Sequence, residues 1–198
     1  MRRLKEAARD LMWEKGYDEA TTREIADRAE IGEATLFRYV ASKLDLFMLV
    51  YGEEFEAVID GCTAVEAKLA AEGLTDDPQA YIGRIVNLYC RLATLYVRYP
   101  SLAYTYVKES FSSETDIGLS GLAHGDRWYS ILESVIHHAQ SAGAFWGSDA
   151  GVTAQNCHAL YVHEVLRSHG RRLPAAEMPE RLRRRLESML EPMGTRRT

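Results

Sequence analysis

Between Gly32 and Lys43 the chain reads GEATLFRYVASK, and this run gathers side chains suited to reading a nucleic acid. Glu33 brings a carboxylate, Thr35 a hydroxyl, Arg38 a guanidinium, and Phe37 and Tyr39 aromatic rings. On a helix, Leu36 and Val40 lie one turn apart and face the core, so Glu33, Ala34, Thr35, Phe37 and Arg38 must point elsewhere. A carboxylate can accept from cytosine N4. A threonine can bond a base or touch a thymine methyl, and an arginine can grip guanine or phosphate. Thr22, Tyr39 and Lys43 stand at helix starts or ends, where backbone N–H groups help to hold phosphate. The chemistry open to this run is recognition of a duplex groove.

No bond-making motif competes with it. GxxxxGK[ST], HExxH, GxSxG and GxGxxG are absent, and Gly118, Gly121 and Gly125 have the wrong spacing for a dinucleotide loop. His163-Glu164 has no second histidine four residues after the first. A metal set would have to combine His137 and His138 with His158 or His163, and hydrogen-bonded or solvated histidines are the simpler reading. Cys62, Cys90 and Cys157 are odd in number, far apart and without a CxxC pair, so reduced, mostly buried thiols are expected. No catalytic residue, metal or cofactor is predicted.

The elements that must position these residues read almost entirely as helix. Leu4, Ala7, Ala8, Leu11 and Met12 keep amphipathic spacing up to a stop at Gly16. Thr21 and Glu24 have the spacing of a capping box that opens a second, short helix carrying Ile25, Ala26 and Ala29 inward. A break at Glu30-Ile31-Gly32 leads into a third helix over Glu33–Tyr39. Ser42 can cap a fourth that runs to about Ala71. Further helices are predicted over about 79–99, 102–111, 126–142, 150–169 and 178–190, with residues 112–125, rich in Ser, Gly and Asp, as a loop. Nothing alternates at period two. The expected fold is all-α: a helix-turn-helix domain over residues 1–47 and a larger helical body over 48–198, with about nine or ten helices in total.

Charge is uneven along the chain. Residues 1–47 hold 9 basic and 10 acidic side chains, 48–163 hold 6 and 14, and 164–198 hold 9 and 5. A nucleic-acid role therefore requires the N-terminal cations to be focused on one face. The tail's Arg181, Arg183, Arg184 and Arg185 are interleaved with Glu180, Glu187 and Glu191 and read as a solvated helix face. The apolar run Leu46–Tyr51 is too short to cross a membrane, and no signal peptide opens the chain, so a cytoplasmic location is expected.

Residues 4–47, LKEAARDLMWEKGYDEATTREIADRAEIGEATLFRYVASKLDLF, resemble the N-terminal domain of the TetR family of bacterial transcriptional regulators. The likeness includes the Gly16-Tyr17 step, the Thr-x-x-Glu-Ile-Ala start, the Thr-Leu-aromatic-x-aromatic helix and the Ser42-Lys43 opening. It implies that Thr22 and Arg23 contact DNA at the start of the second helix. It also implies that Glu33, Ala34, Thr35 and Phe37 face bases, and that Tyr39 and Lys43 clamp phosphate. Two residues depart from the family pattern. Glu30 stands where glycine is usual, at a cost of about 1 kcal/mol if its φ is positive. Phe37 replaces a common tyrosine and lacks its hydroxyl.

The resemblance further implies a homodimer on a palindromic operator, most simply a repressor, released when a small-molecule effector binds the body. A dimer seam is expected on the helices at about 126–142 and 150–169, with Trp128, Ile131, Leu132, Val135, Leu160 and Tyr161 as candidates. On the helix at 79–99, Gly83, Asn87, Cys90 and Thr94 form a small, polar line, and Tyr89, Tyr96, Tyr104 and Tyr106 lie on or near it. Asn87, Tyr89, Cys90, Thr94, Tyr96 and Tyr104 are the candidate effector contacts, although ordinary packing is the simpler reading of any one of them. The alternative from another class is a helical protein-interaction module whose DNA head is degenerate.

Overall fold

In the computed structural model, Arg2–Lys15 form α1, with Leu4, Ala7, Ala8, Leu11 and Met12 buried along one face and Gly16 at φ 90° ending it. The backbone is described for residues 1–112, 116–147 and 149–194, and the side chains for all of these except 112 and 116–120. Helix α2, Thr22–Arg28, starts on the predicted capping box: the Thr21 hydroxyl accepts from the Glu24 amide, and the Glu24 carboxylate accepts from the Thr21 amide. Its end forms a Schellman turn, with Ile31 N donating to Ala26 O at 3.0 Å and Glu30 N to Asp27 O at 3.1 Å. Glu30 occupies the left-handed position of that turn at φ 57°, where glycine is the unstrained choice.

Helix α3, Glu33–Leu36, is shorter than expected. Beyond Leu36 the chain tightens into three-residue turns, Arg38 N to Thr35 O and Tyr39 N to Leu36 O, before α4 begins. Leu36 and Val40 anchor this turn in a core with Ile25, Ala26 and α1. Ser42 caps α4, Lys43–Ala71, by accepting from the Asp45 amide. At 29 residues this helix is about 43 Å long, so it starts in the head and runs through the body as one rod.

The body is made by α5 (Pro78–Arg98), α6 (Pro100–Ser112), α7 (Asp116–Ser141), α8 (Ala150–Gly170) and α9 (Met178–Leu190). Helix α5 packs on α4, α6, α7 and α9 and is the centre of the core. Helices α8 and α9 are joined by Glu164, whose wholly buried carboxylate meets Arg181 at 2.7 Å and Arg185 at 3.2 Å. The expected loop over 112–125 is corrected: α7 already begins at Asp116, and of that stretch only residues 113–115 lie outside the described residues. Gly121 there serves close packing. A Cβ on Gly121 would lie 2.6 Å from the Ser110 hydroxyl of α6, so the residue is small because two helices meet there.

Candidate functional site

The helix-turn-helix surface is assembled by α2, the Schellman turn and α3. Glu33, Ala34, Phe37, Arg38 and Tyr39 are all exposed, with Phe37 46% and Tyr39 50% accessible, which is uncommon for rings in a folded head. Thr22, at the first position of α2, donates its hydroxyl to Glu33 Oε1 at 2.6 Å and so ties the two helices of the motif together. Thr35 is half-buried at the centre of α3. Lys43, expected at phosphate, has its ammonium on two carbonyls, Tyr17 O at 2.9 Å and Asp18 O at 3.2 Å, and over the Tyr17 ring. It fixes the α1–α2 loop and keeps one N–H for another partner.

The electrostatics of the head are selective. Arg2, Arg3, Lys5, Arg9, Lys15 and Arg28 each lie within ion-pair distance of a carboxylate: Glu6, Glu30, Glu53, Glu53 with Glu54, Glu24 and Glu14. Lys15 and Thr21 together hold the Glu24 carboxyl down to about 2. Arg23 and Arg38 make no ion pair or hydrogen bond among the described residues, and both stand exposed on the motif. A near-neutral segment thus offers unclaimed guanidiniums at the recognition surface.

In the body, the six predicted effector residues do not line one common pocket. Asn87, Cys90 and Thr94 line an open groove between α4 and α5, because the polar stripe of an amphipathic helix turns to its wet side. Tyr89 and Tyr96 are buried in the core, and Tyr104 stacks on His169 at 3.8 Å. The dimer-seam candidates are distributed within the single chain. Trp128, Leu132, Val135 and Tyr161 are buried within a single chain, since α7 and α8 both pack inward, while Ile131 and Leu160 are half-buried.

A cavity of about 60 Å³ lies between four helices instead. Phe55 comes from α4, Tyr106, Val107, Ser110 and Phe111 from α6, Gly121, Leu122, Gly125, Asp126 and Tyr129 from α7, and His158, Tyr161 and Val162 from α8. Burial pushes the His158 imidazole down to about 4, and its Nδ1 is buried without a hydrogen-bond partner. Burial also raises the Tyr106 and Tyr161 phenols, so the ionised forms are excluded at neutral pH. From the sequence, Tyr161 is expected at the dimer seam, Tyr106 lies near the polar line of α5, and Phe55 and Tyr129 carry no functional expectation. The available signal was the pair of i, i+3 partners Asp126/Tyr129 and His158/Tyr161 on otherwise apolar faces.

This cavity is joined to the head by aromatic contacts. Tyr17 meets Phe47 at 5.0 Å between ring centroids, Phe47 meets Tyr51 at 5.6 Å, and Tyr51 meets Tyr106 at 4.9 Å. Trp13 of α1 also touches Tyr51 at 5.8 Å. Gly52 lets α7 approach α4, since a Cβ there would lie 3.0 Å from the His124 ring, which hydrogen-bonds the Tyr106 hydroxyl at 2.7 Å.

The chain thus carries a helix-turn-helix head on a helical body with a cavity between α4, α6, α7 and α8. Residues 4–50 match the family model of the bacterial regulatory proteins, tetR family, and the fold is TetR-like throughout. FadR of Thermus thermophilus, a TetR-family transcriptional repressor in complex with lauroyl-CoA, is 21% identical with a TM-score of 0.76, covering 100% of this chain and 96% of that one. FadR of Bacillus subtilis, in complex with stearoyl-CoA, is 16% identical with a TM-score of 0.68 over 93% and 96% of the two chains. A protein of Saccharomonospora viridis described as a transcriptional regulator, in complex with choline, is 23% identical with a TM-score of 0.70 over 99% and 97%. No curated protein matches the chain in sequence. Among the described residues, no helix is long and apolar enough to cross a membrane, and no cluster of His, Cys, Asp or Glu could hold a metal.

Proposed function

We propose that this chain is a ligand-responsive transcriptional repressor that binds a palindromic operator as a homodimer and leaves it when a small molecule enters the body. The observation that carries this reading is the pair of unclaimed guanidiniums, Arg23 and Arg38, beside the exposed Glu33, Ala34, Phe37 and Tyr39. In this reading Thr22, Arg23, Arg38 and Tyr39 hold the head on phosphate, Lys43 braces the α1–α2 loop beside them, and Glu33, Ala34, Thr35 and Phe37 read base edges. Thr22 presents Glu33 through their hydrogen bond.

Two heads have to reach half-sites about one helical turn, roughly 34–36 Å, apart, so a small tilt of α4 is enough to spoil the fit. An effector that binds better to the tilted form lowers operator affinity by its differential affinity. The cavity is the favoured effector site because Phe55 and Tyr106 line it and Tyr106 also touches Tyr51 of α4. That acyl-CoA and choline occupy structurally similar proteins supports a ligand-binding body in this one. The dimer seam is assigned to the outward face of α8, where Val152, Ala159 and Leu166 are exposed at i, i+7 and i+14 and Leu160 borders α9.

Selection of binding sites from random duplexes with the purified protein, followed by a salt titration, tests the reading. Enrichment of a palindrome with salt-sensitive affinity is expected. No enrichment at low salt, before and after unfolding and refolding to strip any bound ligand, refutes it and leaves the head to a protein partner. Val152→Asp with Leu166→Asp is expected to yield a monomer by light scattering, and an unchanged dimer removes α8 from the seam.

A further inference from the structure

The cavity's chemistry narrows what it can hold, and the argument rests on the proposal that this cavity is the effector site. Its wall is aromatic: Phe55, Tyr106, Phe111, Tyr129 and Tyr161 supply rings from three helices plus α4. Among the lining residues, Asp126 is the one carboxylate and no lysine or arginine is present. This is a property of the whole segment, because residues 109–126 contain no lysine or arginine at all. The nearest flanking cations are already engaged. Arg127 is held by Glu56 at 2.6 Å and Asp60 at 2.7 Å, and Lys108 is paired with Glu109 at 2.8 Å. A ligand bearing phosphates would find no counter-charge here.

His158 supplies the second, independent sign of a ligand. It is 7% exposed, lines the cavity, and its Nδ1 has no partner, so it can bond a hydroxyl that an occupant carries beside its cationic head. Burial keeps the ring neutral, so it adds no repelling positive charge. It lies edge-on to Tyr129, 5.2 Å away, and 5.7 Å from Tyr161, so an occupant would sit among three groups rich in π-electrons. The space of about 60 Å³ holds about four or five water-sized atoms, which is the size of a trimethylammonium group. Exposed Phe111 and Leu122 stand at the edge, where the rest of a ligand would leave.

We infer that the cavity takes the head of a compact organic cation, an alkylated ammonium, against the rings of Phe55, Tyr106, Tyr129 and Tyr161, with the solvent-exposed Asp126 as its counter-charge. Aromatic rings attract such a cation through their quadrupole, and the attraction is strongest where water is excluded. A coenzyme A thioester is the wrong class for this site in both charge and volume.

Calorimetric titration of the full-length protein with choline, with 3,3-dimethylbutan-1-ol and with lauroyl-CoA tests this. The alcohol has the shape of choline without its charge. Choline is expected to bind at least tenfold more tightly than the alcohol, and lauroyl-CoA more weakly than choline. Asp126→Asn should reduce the choline preference to less than threefold while leaving the alcohol's affinity in place. Tyr129→Leu should weaken choline more than the alcohol, and a thermal melt of each variant checks that it is folded. Equal binding of choline and the alcohol overturns the inference, as does tighter binding of lauroyl-CoA or no binding of any of the three. The wild-type comparison stands alone if a variant fails to fold. Choline binding that leaves a protein–operator complex intact would sustain the cation site and refute the proposed release mechanism.

Discussion

The salt dependence of DNA binding can be worked out from the head's ion pairs. Nine lysines and arginines lie in residues 1–47. Six face carboxylates, Lys43 is held on carbonyls, and Arg23 and Arg38 remain. A dimer therefore brings about four free guanidiniums to the duplex, and at about −0.9 per neutralised phosphate the slope of log K against log salt is about −3.6. Between 50 and 200 mM salt the affinity should then fall by about 150-fold. Arg38→Ala removes one contact per head, which brings the slope to about −1.8 and the same salt interval to about 12-fold. The assay is fluorescence anisotropy on the selected operator at five or six salt concentrations, wild type against variant. A wild-type slope near −7 would mean that the paired arginines release their carboxylates on binding. A slope unchanged by Arg38→Ala would mean that this guanidinium does not reach phosphate, and either result refutes the reasoning.

Three further predictions concern the fold that holds the site. Glu30→Gly relieves the residue at φ 57° and gives up only an exposed pair with Arg3, so it should stabilise the protein by about 0.5–1 kcal/mol, read as a rise of about 2 °C in Tm. Glu164→Gln leaves Arg181 and Arg185 facing a neutral group in a buried site and should cost about 3 kcal/mol in urea unfolding. His158 is depressed from 6.5 to about 4 by burial, so below 6.5 the unfolded chain takes up a proton that the native state refuses. Its contribution is complete above pH 6.5 and is lost as pH falls toward 4, by about 2–3 kcal/mol, and His158→Phe should flatten that limb of the stability–pH curve.

Local chemistry was legible in the sequence wherever a few neighbouring residues decide the structure. The Thr21–Glu24 capping box, the Ser42 cap and the Gly16 stop act within one turn, and each is formed as its spacing implies. Glu30 was readable too, because its strain depends only on its own φ. What was not legible is which neighbour a helix face meets. Gly121 looked like loop composition because its reason, the Ser110 side chain, lies on another helix. Trp128, Leu132 and Val135 form a clean apolar stripe, and a stripe has the same spacing whether it packs on its own chain or on a partner. The cavity is harder still, since Phe55 and Tyr161 are brought together from opposite ends of the body.

Phe47, Tyr51 and Phe55 show how a legible pattern acquires a function. They recur at i, i+4 and i+8 on α4, and from spacing alone they are an ordinary core seam. The fold puts Tyr17 of the head against the first ring and Tyr106 of the cavity wall against the other two. One side of α4 therefore packs against both sites, with its rings in contact. A shift of Tyr106 by an occupant presses on Tyr51, which is buried between Phe47, Trp13 and Tyr106, so the displacement passes to the helix. Gly52 tightens that constraint by holding α4 against His124, the hydrogen-bond partner of the same Tyr106. Tyr51→Leu would loosen this contact without altering the cavity wall, which Tyr51 does not line. If the seam transmits the signal, the variant should still bind effector and operator but lose most of the effect of one on the other.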